Sequence, residues 1–142
     1  MKALAACYTR DANREIVPLS PRGTVWYHYY VLDPPVHDNN FQKKFRHRFR
    51  LPYDKFLEIF AQAKKSPLFR RWTSFDAVGK ESSPIELMIL GALRYLGRGW
   101  TFDDIEEATT INEETHRQFF HIYIAFVSTE LYKHFVIVPT SG

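Results

Sequence analysis

Residues 97–123 read GRGWTFDDIEEATTINEETHRQFFHIY, and this stretch contains two helix starts separated by a short turn. Thr101 and Asp104 form a Thr-x-x-acid capping box, which predicts that a short helix begins here. Asn112 predicts the start of a second helix, because an Asn side chain accepts hydrogen bonds from the free N–H groups of a first turn. Residues 109–111 leave room only for a tight turn between the two helices. The pattern therefore predicts a helix-turn-helix.

A third predicted helix precedes this unit, in SPIELMILGALRYLGRG at residues 83–99. Ser83 is the predicted N-cap and Pro84 the first helical residue, and Gly97 and Gly99 are predicted to end the helix. The apolar residues lie on more than one side, which is typical of a helix at the centre of a bundle. They are Ile85, Leu87, Met88, Ile89, Leu90, Ala92, Leu93 and Leu96.

A basic helix is predicted in the first half of the chain, where residues 39–51 read NNFQKKFRHRFRL. Phe41, Phe45 and Phe49 recur every four residues and form one narrow apolar stripe. Two interpretations stay open: a helix anchored by three Phe rings that presents cations to DNA phosphates, or an ordinary solvated face. The cations beside or opposite the stripe are Lys43, Lys44, Arg46, Arg48 and Arg50.

Charge divides unevenly along the 142-residue chain, whose net charge is +3. Residues 1–80 carry 15 Lys and Arg against 7 Asp and Glu, whereas residues 81–142 carry 4 against 9. Nucleic-acid affinity depends largely on Lys and Arg that neutralise phosphates. The helix-turn-helix half has the wrong sign to bind DNA alone, so we expect the first half to supply most of any DNA affinity.

The last predicted helix, which starts at Glu113, carries three side chains suited to base edges. Arg117, Gln118 and His121 lie opposite its apolar arc, and Arg bonds guanine as Gln bonds adenine in the major groove. Glu113 and Glu114 lie where a recognition helix approaches phosphates, and they would repel them. Base contact and ordinary solvent exposure both stay open for these three side chains.

The apolar arc of the same helix is wider than a small trihelical unit needs. We expect Phe120, Ile124 and Leu131 to be partly exposed, because the arc offers more apolar surface than the unit can cover. Such a surface favours self-association, so a homo-oligomer is an open alternative.

The residues from Ser83 to Phe120, with KKFRHRFRLPYDKFLEIF at residues 43–60, resemble the amino-terminal region of Harbinger-type (PIF/Harbinger) transposases. The likeness is strongest in LGALRYLGRGWTFDDIEEAT at residues 90–109. In that family a DDE nuclease domain follows, so the resemblance implies cutting and rejoining of transposon ends in the nucleus. It also implies duplex DNA and a Myb-like protein as partners. Divalent metal is implied only in the nuclease domain, and no catalytic residue is carried over to this chain.

Enzymatic chemistry is not predicted within these residues. Asp103, Asp104, Glu106 and Glu107 cluster on one short helix, where they cannot converge on two metal ions as a DDE triad must. No metal site or other cofactor is expected in this chain. Cys7 is the only cysteine, which excludes an internal disulfide. No stretch approaches the roughly twenty apolar residues of a membrane span, so we expect no membrane association.

The sequence thus predicts an all-α bundle of about five helices. We expect disorder over residues 1–20, a basic aromatic-rich helical region over 21–82, the helix-turn-helix-like unit over 83–138, and at 139–142 the start of a linker to a missing catalytic domain. PRGTVWYHYYVL at residues 21–32 is a short helix or a strand, and its aromatics belong to the core or stack on bases. The alternative function is a protein-interaction module that docks a catalytic domain or a second copy without direct DNA contact.

Overall fold

The computed structural model describes residues 8–10, 16–18, 20–73 and 83–135. Five α-helices in this part of the chain have eight residues or more, so the predicted all-α bundle is confirmed. In chain order the helices are α1 Asn39–Phe49, α2 Tyr53–Lys65, α3 Arg70–Thr73, α4 Ile85–Arg98, α5 Phe102–Thr109, α6 Glu113–Phe126 and α7 Tyr132–Phe135. Tyr27–Leu32 and Val127–Leu131 are π-helical, and Pro21–Gly23 and Pro67–Phe69 are 3-10 turns.

A short antiparallel ribbon precedes the helices. Strand β1, Tyr8–Arg10, pairs with strand β2, Ile16–Pro18, and Thr9 faces Val17 across the pair. Both strands lie within residues 1–20, where the sequence predicts disorder. Apart from Ser20, the other residues of that range lie outside the described part, as do residues 139–142, where the start of a linker is expected.

The predicted helix starts of the helix-turn-helix are confirmed. The Thr101 hydroxyl accepts a hydrogen bond from Asp104 N at 3.1 Å, and the Asp104 carboxylate accepts one from Thr101 N at 3.0 Å. Asn112 Oδ1 accepts from Glu114 N at 2.8 Å. Between the helices Thr110 adopts a left-handed conformation, with φ 61°, which closes the turn that three residues must make.

The predicted cap of α4 is wrong in one detail. Pro84, not Ser83, is the N-cap residue, and its carbonyl accepts the first helical hydrogen bond from Met88 N at 3.2 Å. At the other end, Gly99 adopts a left-handed conformation with φ 71° and ends the helix, whereas Gly97 lies within the last turn.

Helix α4 lies at the centre of the bundle, as its sequence predicts. It packs against α1, α2, α5 and α6, and eight of the nine residues from Ile85 to Leu93 are buried, with Glu86 the exception. Leu96, near the carboxyl-terminal end of the helix, is exposed instead.

The Phe stripe of α1 forms the aromatic half of the core. Phe45 contacts the rings of Tyr30 and Tyr53 at centroid distances of 5.6 and 4.9 Å, and Phe41 and Phe49 are equally buried. The segment at residues 21–32 is helical rather than extended. Tyr53 Oη donates to the Tyr30 carbonyl at 2.7 Å, which ties this segment to α2. Tyr30 therefore belongs to the core and is closed to bases.

The three helices of the helix-turn-helix meet at Gly91. A Cβ at this position would lie 2.8 Å from Ile105 Cγ2 on α5 and 3.0 Å from His116 Nδ1 on α6. Both neighbours are buried side chains held by their own helices. Glycine is therefore required here by close helix packing, although glycine weakens a helix interior.

We expect Gly91→Ala to lower the free energy of unfolding by about 1–2 kcal/mol, because overpacking outweighs the gain in helix propensity. Gly97→Ala is the matched control. Its Cβ would lie 2.6 Å from Cγ and 3.2 Å from Cβ of the exposed Arg50, so it displaces a surface side chain and its bond to the Gly97 carbonyl rather than buried helix packing. Urea unfolding of both variants measures the difference, and equal stabilities would show that α4 has room to shift at Gly91.

Candidate nucleic-acid interface

The exposed face of α1 is strongly cationic. Lys43, Arg46, His47 and Arg50 line one shallow depression on the surface. Lys43 and Arg50 are seven residues apart, about 10 Å along a helix. Because the Phe stripe is buried on the opposite side, the orientation of this face is fixed by the core. We call these four residues, with Lys44 beside them, the basic face.

No carboxylate in the described part of the chain neutralises the basic face. Among the described residues, ion pairs with carboxylates join Lys55 to Glu58 and Arg117 to Glu114, and none involves a residue of α1. Lys43, Lys44 and Arg46 make no side-chain hydrogen bond there either. These three cations are therefore available to an external anion.

Arg48 and Arg50 differ from the other predicted phosphate-binding residues, because each has an internal hydrogen bond. Arg48 Nη1 donates to Tyr30 Oη at 2.8 Å, and the side chain is only half exposed. Arg50 adopts a left-handed conformation after the helix ends, and its Nε donates to the Gly97 carbonyl at 3.2 Å. Both arginines therefore join α1 to the rest of the bundle while keeping their charge.

Sequence reasoning missed Arg94, which extends the cationic surface from α1 to the end of α4. Arg94 Nη1 donates to the Arg48 carbonyl at 3.1 Å, and its guanidinium lies 3.9 Å from the centre of the Trp100 ring. Burial lowers the pKa of Arg94; Tyr30 opposes this, and the charges of Arg48 and Arg98 lower it further. The sequence feature that could have indicated Arg94 is a single Arg within an apolar part of a predicted helix.

Helix dipoles explain how cations gather here without carboxylates. The carboxyl-terminal ends of α1 and α4 meet where Arg50 contacts Gly97, and Arg98 lies in the last turn of α4. Free carbonyl groups give a helix carboxyl terminus partial negative charge, which favours nearby cations. The bundle can therefore keep this cluster of arginines facing solvent.

The predicted base-reading residues of α6 lie on its exposed face, but two of them have partners. Arg117 forms an ion pair with Glu114, and Gln118 Oε1 accepts a hydrogen bond from Arg71 Nη1 at 2.8 Å. His121 is exposed. Because Glu114 neutralises Arg117, α6 offers less positive charge to a phosphate backbone than α1.

Two of the four acidic residues of α5 cap helices. Asp104 completes the capping box at Thr101, and Glu106 Oε1 accepts a hydrogen bond from Glu113 N, at the start of α6, at 2.7 Å. Within the described ranges, no group of three or more His, Cys, Asp or Glu is placed to hold a metal ion.

The expected exposure of the α6 arc is only partly correct. Ile124 is 41% exposed, but Leu131 is 7% exposed and belongs to the core. The change to π-helical hydrogen bonding at Val127–Leu131 shifts the register of the arc, so the straight-helix projection places Leu131 wrongly. Phe120 is partly buried against Tyr95 and Phe102.

No protein family, curated protein or solved structure matches this chain. Within residues 8–10, 16–18, 20–73 and 83–135, no helix is both long enough and apolar enough to cross a bilayer.

Proposed function

We propose that this chain binds duplex DNA through the basic face of α1, as the DNA-engaging region of a Harbinger-type transposase that acts in the nucleus. The observation that carries the proposal is the basic face itself: its cations have no carboxylate partner in the described residues, and three buried Phe rings fix its orientation. A phosphate backbone supplies the missing negative charge. Within this proposal, divalent metal and catalysis belong to a nuclease domain, and transposon ends and a Myb-like protein are the partners.

The charge distribution supports phosphate contact by α1 rather than by α6. Three to four phosphate contacts by the basic face would make the logarithm of DNA affinity fall with the logarithm of salt concentration at a slope of roughly −3 to −4. Arg117, Gln118 and His121 would add sequence preference on top of this term, because base contacts specify while phosphate contacts position.

The test is the triple variant Lys43→Gln, Lys44→Gln, Arg46→Gln. These three side chains make no internal hydrogen bond in the described residues, so the fold should be retained. We expect the salt slope to become less negative by about 2.7, because each lost phosphate contact removes about 0.9. Fluorescence anisotropy of a labelled duplex, titrated from about 50 to 200 mM salt, measures this change.

A control variant on α2 removes the same charge elsewhere: Lys55→Gln, Lys64→Gln, Lys65→Gln. All three lysines are exposed. We expect this variant to keep the slope of the unmodified protein. If the two variants lose slope equally, binding is spread over the surface and the basic face is an ordinary solvated face.

A protein-interaction module without DNA contact is the second candidate. The acidic balance of residues 81–142 and the pairing of Arg117 with Glu114 favour it for the helix-turn-helix half. Absence of salt-dependent duplex binding by the unmodified protein would select this function over DNA binding.

A further inference from the structure

An open groove lies where the amino-terminal ends of α5 and α6 meet the carboxyl-terminal end of α4, and its lining shares no residue with the depression on the basic face. It encloses about 580 Å³, and its side chains include Tyr95, Trp100, Phe102, Asp103, Glu113 and Arg117. This volume is in the usual range of ligand-binding clefts.

Stacked aromatic rings form one wall of the groove. Tyr95 and Phe102 are nearly parallel, with an interplanar angle of 6° and centroids 4.4 Å apart. Phe120 supports both rings, at 4.7 Å from Tyr95 and 5.9 Å from Phe102. Tyr95 remains 37% exposed. The wall is therefore held in place by packing and still open to a ligand.

Two carboxylates beside these rings lack partners. The side chains of Asp103 and Glu113 make no hydrogen bond or ion pair within the described part of the chain, whereas Asp104 and Glu106 each cap a helix. Arg117, the one cation among the described residues that line the groove, is already paired with Glu114. The groove thus combines a π-surface with uncompensated negative charge, and both attract a cation.

The molecule itself shows which cation suits these rings. The Arg94 guanidinium lies 3.9 Å from the centre of the Trp100 ring, and that of Arg117 lies 5.5 Å from the centre of Phe102. A guanidinium is planar, so it can stack on a ring and bond a carboxylate through its edge at the same time.

We propose that this groove binds an arginine side chain presented by a partner polypeptide. The guanidinium stacks on Tyr95, whose ring is supported by Phe102 and remains 37% exposed, and it is neutralised by Asp103 and Glu113. This interaction is independent of DNA binding by α1, and it gives the acidic helix-turn-helix half a partner of complementary charge.

The experiment titrates the ¹⁵N-labelled protein with the peptide acetyl-Gly-Ser-Leu-Arg-Gly-Ser-amide. We expect backbone amide shifts to change most at the residues that line the groove. The double variant Asp103→Asn, Glu113→Gln should bind at least tenfold more weakly. A peptide with citrulline, the neutral isostere of arginine, should lose affinity to the same extent on the unmodified protein.

Asp33→Asn with Glu86→Gln is the control, because it removes the same charge outside the groove and should leave peptide affinity unchanged. The proposal is overturned if Asp103→Asn, Glu113→Gln binds the peptide as well as the unmodified protein, or if the shifts map elsewhere. It is also overturned if the groove is occupied without peptide by a second copy of the chain, which sedimentation of the protein and of the double variant would reveal. Because the double variant keeps the basic face, its salt slope for DNA should not weaken, so the two functions are tested separately.

Discussion

Phe45→Ala is expected to lower the free energy of unfolding by about 3–5 kcal/mol, the usual cost of removing a buried aromatic ring. Phe45 is 0% exposed and lies within 6.1 Å, between ring centres, of Tyr30, Phe41 and Phe49. Phe41 and Phe49 lie on the same helix and Tyr30 on the π-helix Tyr27–Leu32, and all three are buried and packed, so they cannot collapse fully into the cavity. Urea unfolding followed by far-ultraviolet circular dichroism measures the loss.

The control for Phe45 lies on the same helix. Lys43→Ala replaces an exposed side chain and should change stability by less than about 0.5 kcal/mol. A loss below about 1 kcal/mol for Phe45→Ala would contradict the buried stripe. It would also remove the reason why the basic face has a fixed orientation, and with it the structural support for DNA contact.

Acidification is expected to destabilise the protein through His116. Thr109 Oγ1 donates to the Ile105 carbonyl at 2.9 Å, so it must accept the hydrogen bond of 2.7 Å from His116 Nε2. His116 Nε2 therefore carries the proton, and Nδ1 is buried without a hydrogen-bond partner among the described residues. Burial lowers the pKa of His116 from 6.5 to about 4, because a charged imidazole would lose its hydration.

The direction in which stability changes with pH follows from proton linkage. Between these two pKa values the unfolded chain binds a proton that the folded protein does not, so the stabilisation is complete above pH 6.5 and is lost as the pH falls towards 4. The expected contribution is about 3 kcal/mol. Unfolding free energies from pH 7.5 to 4 should therefore fall more steeply for the unmodified protein than for His116→Gln, whose side chain donates a similar bond but does not titrate. Parallel pH profiles would show that His116 is protonated in the folded protein or that its cavity admits water.

Much of the fold follows from short-range sequence patterns. The capping box at Thr101, the cap at Asn112 and the Phe41, Phe45 and Phe49 stripe are confirmed. Each is an interaction within about one helical turn or a repeat along one face, so the local sequence contains it. Two predictions fail. Leu131 lies in a π-helical turn, where the helix departs from the regular period, and Ser83 lies one residue before the N-cap.

The candidate sites were only partly predictable. The sequence shows the cations of α1, because charged residues opposite an apolar stripe can be recognised from their spacing. It does not show which of these cations form hydrogen bonds within the protein. Arg48 bonds Tyr30, 18 residues away, and Arg50 bonds Gly97, 47 residues away. The aromatic groove was missed because Tyr95, Phe102 and Glu113 belong to three different helices, which only packing brings together.

The sequence by itself determined the helical class, the places where the main helices begin, and the separation of a basic first half from an acidic second half. Hydrogen bonds and periods within one or two turns specify these features. Only the tertiary structure decided which polar side chains have partners, as in the hydrogen bond that Arg71 donates to Gln118, and where helices approach closely enough to require Gly91. Those features depend on side chains brought together from distant parts of the chain, and packing geometry selects the partners.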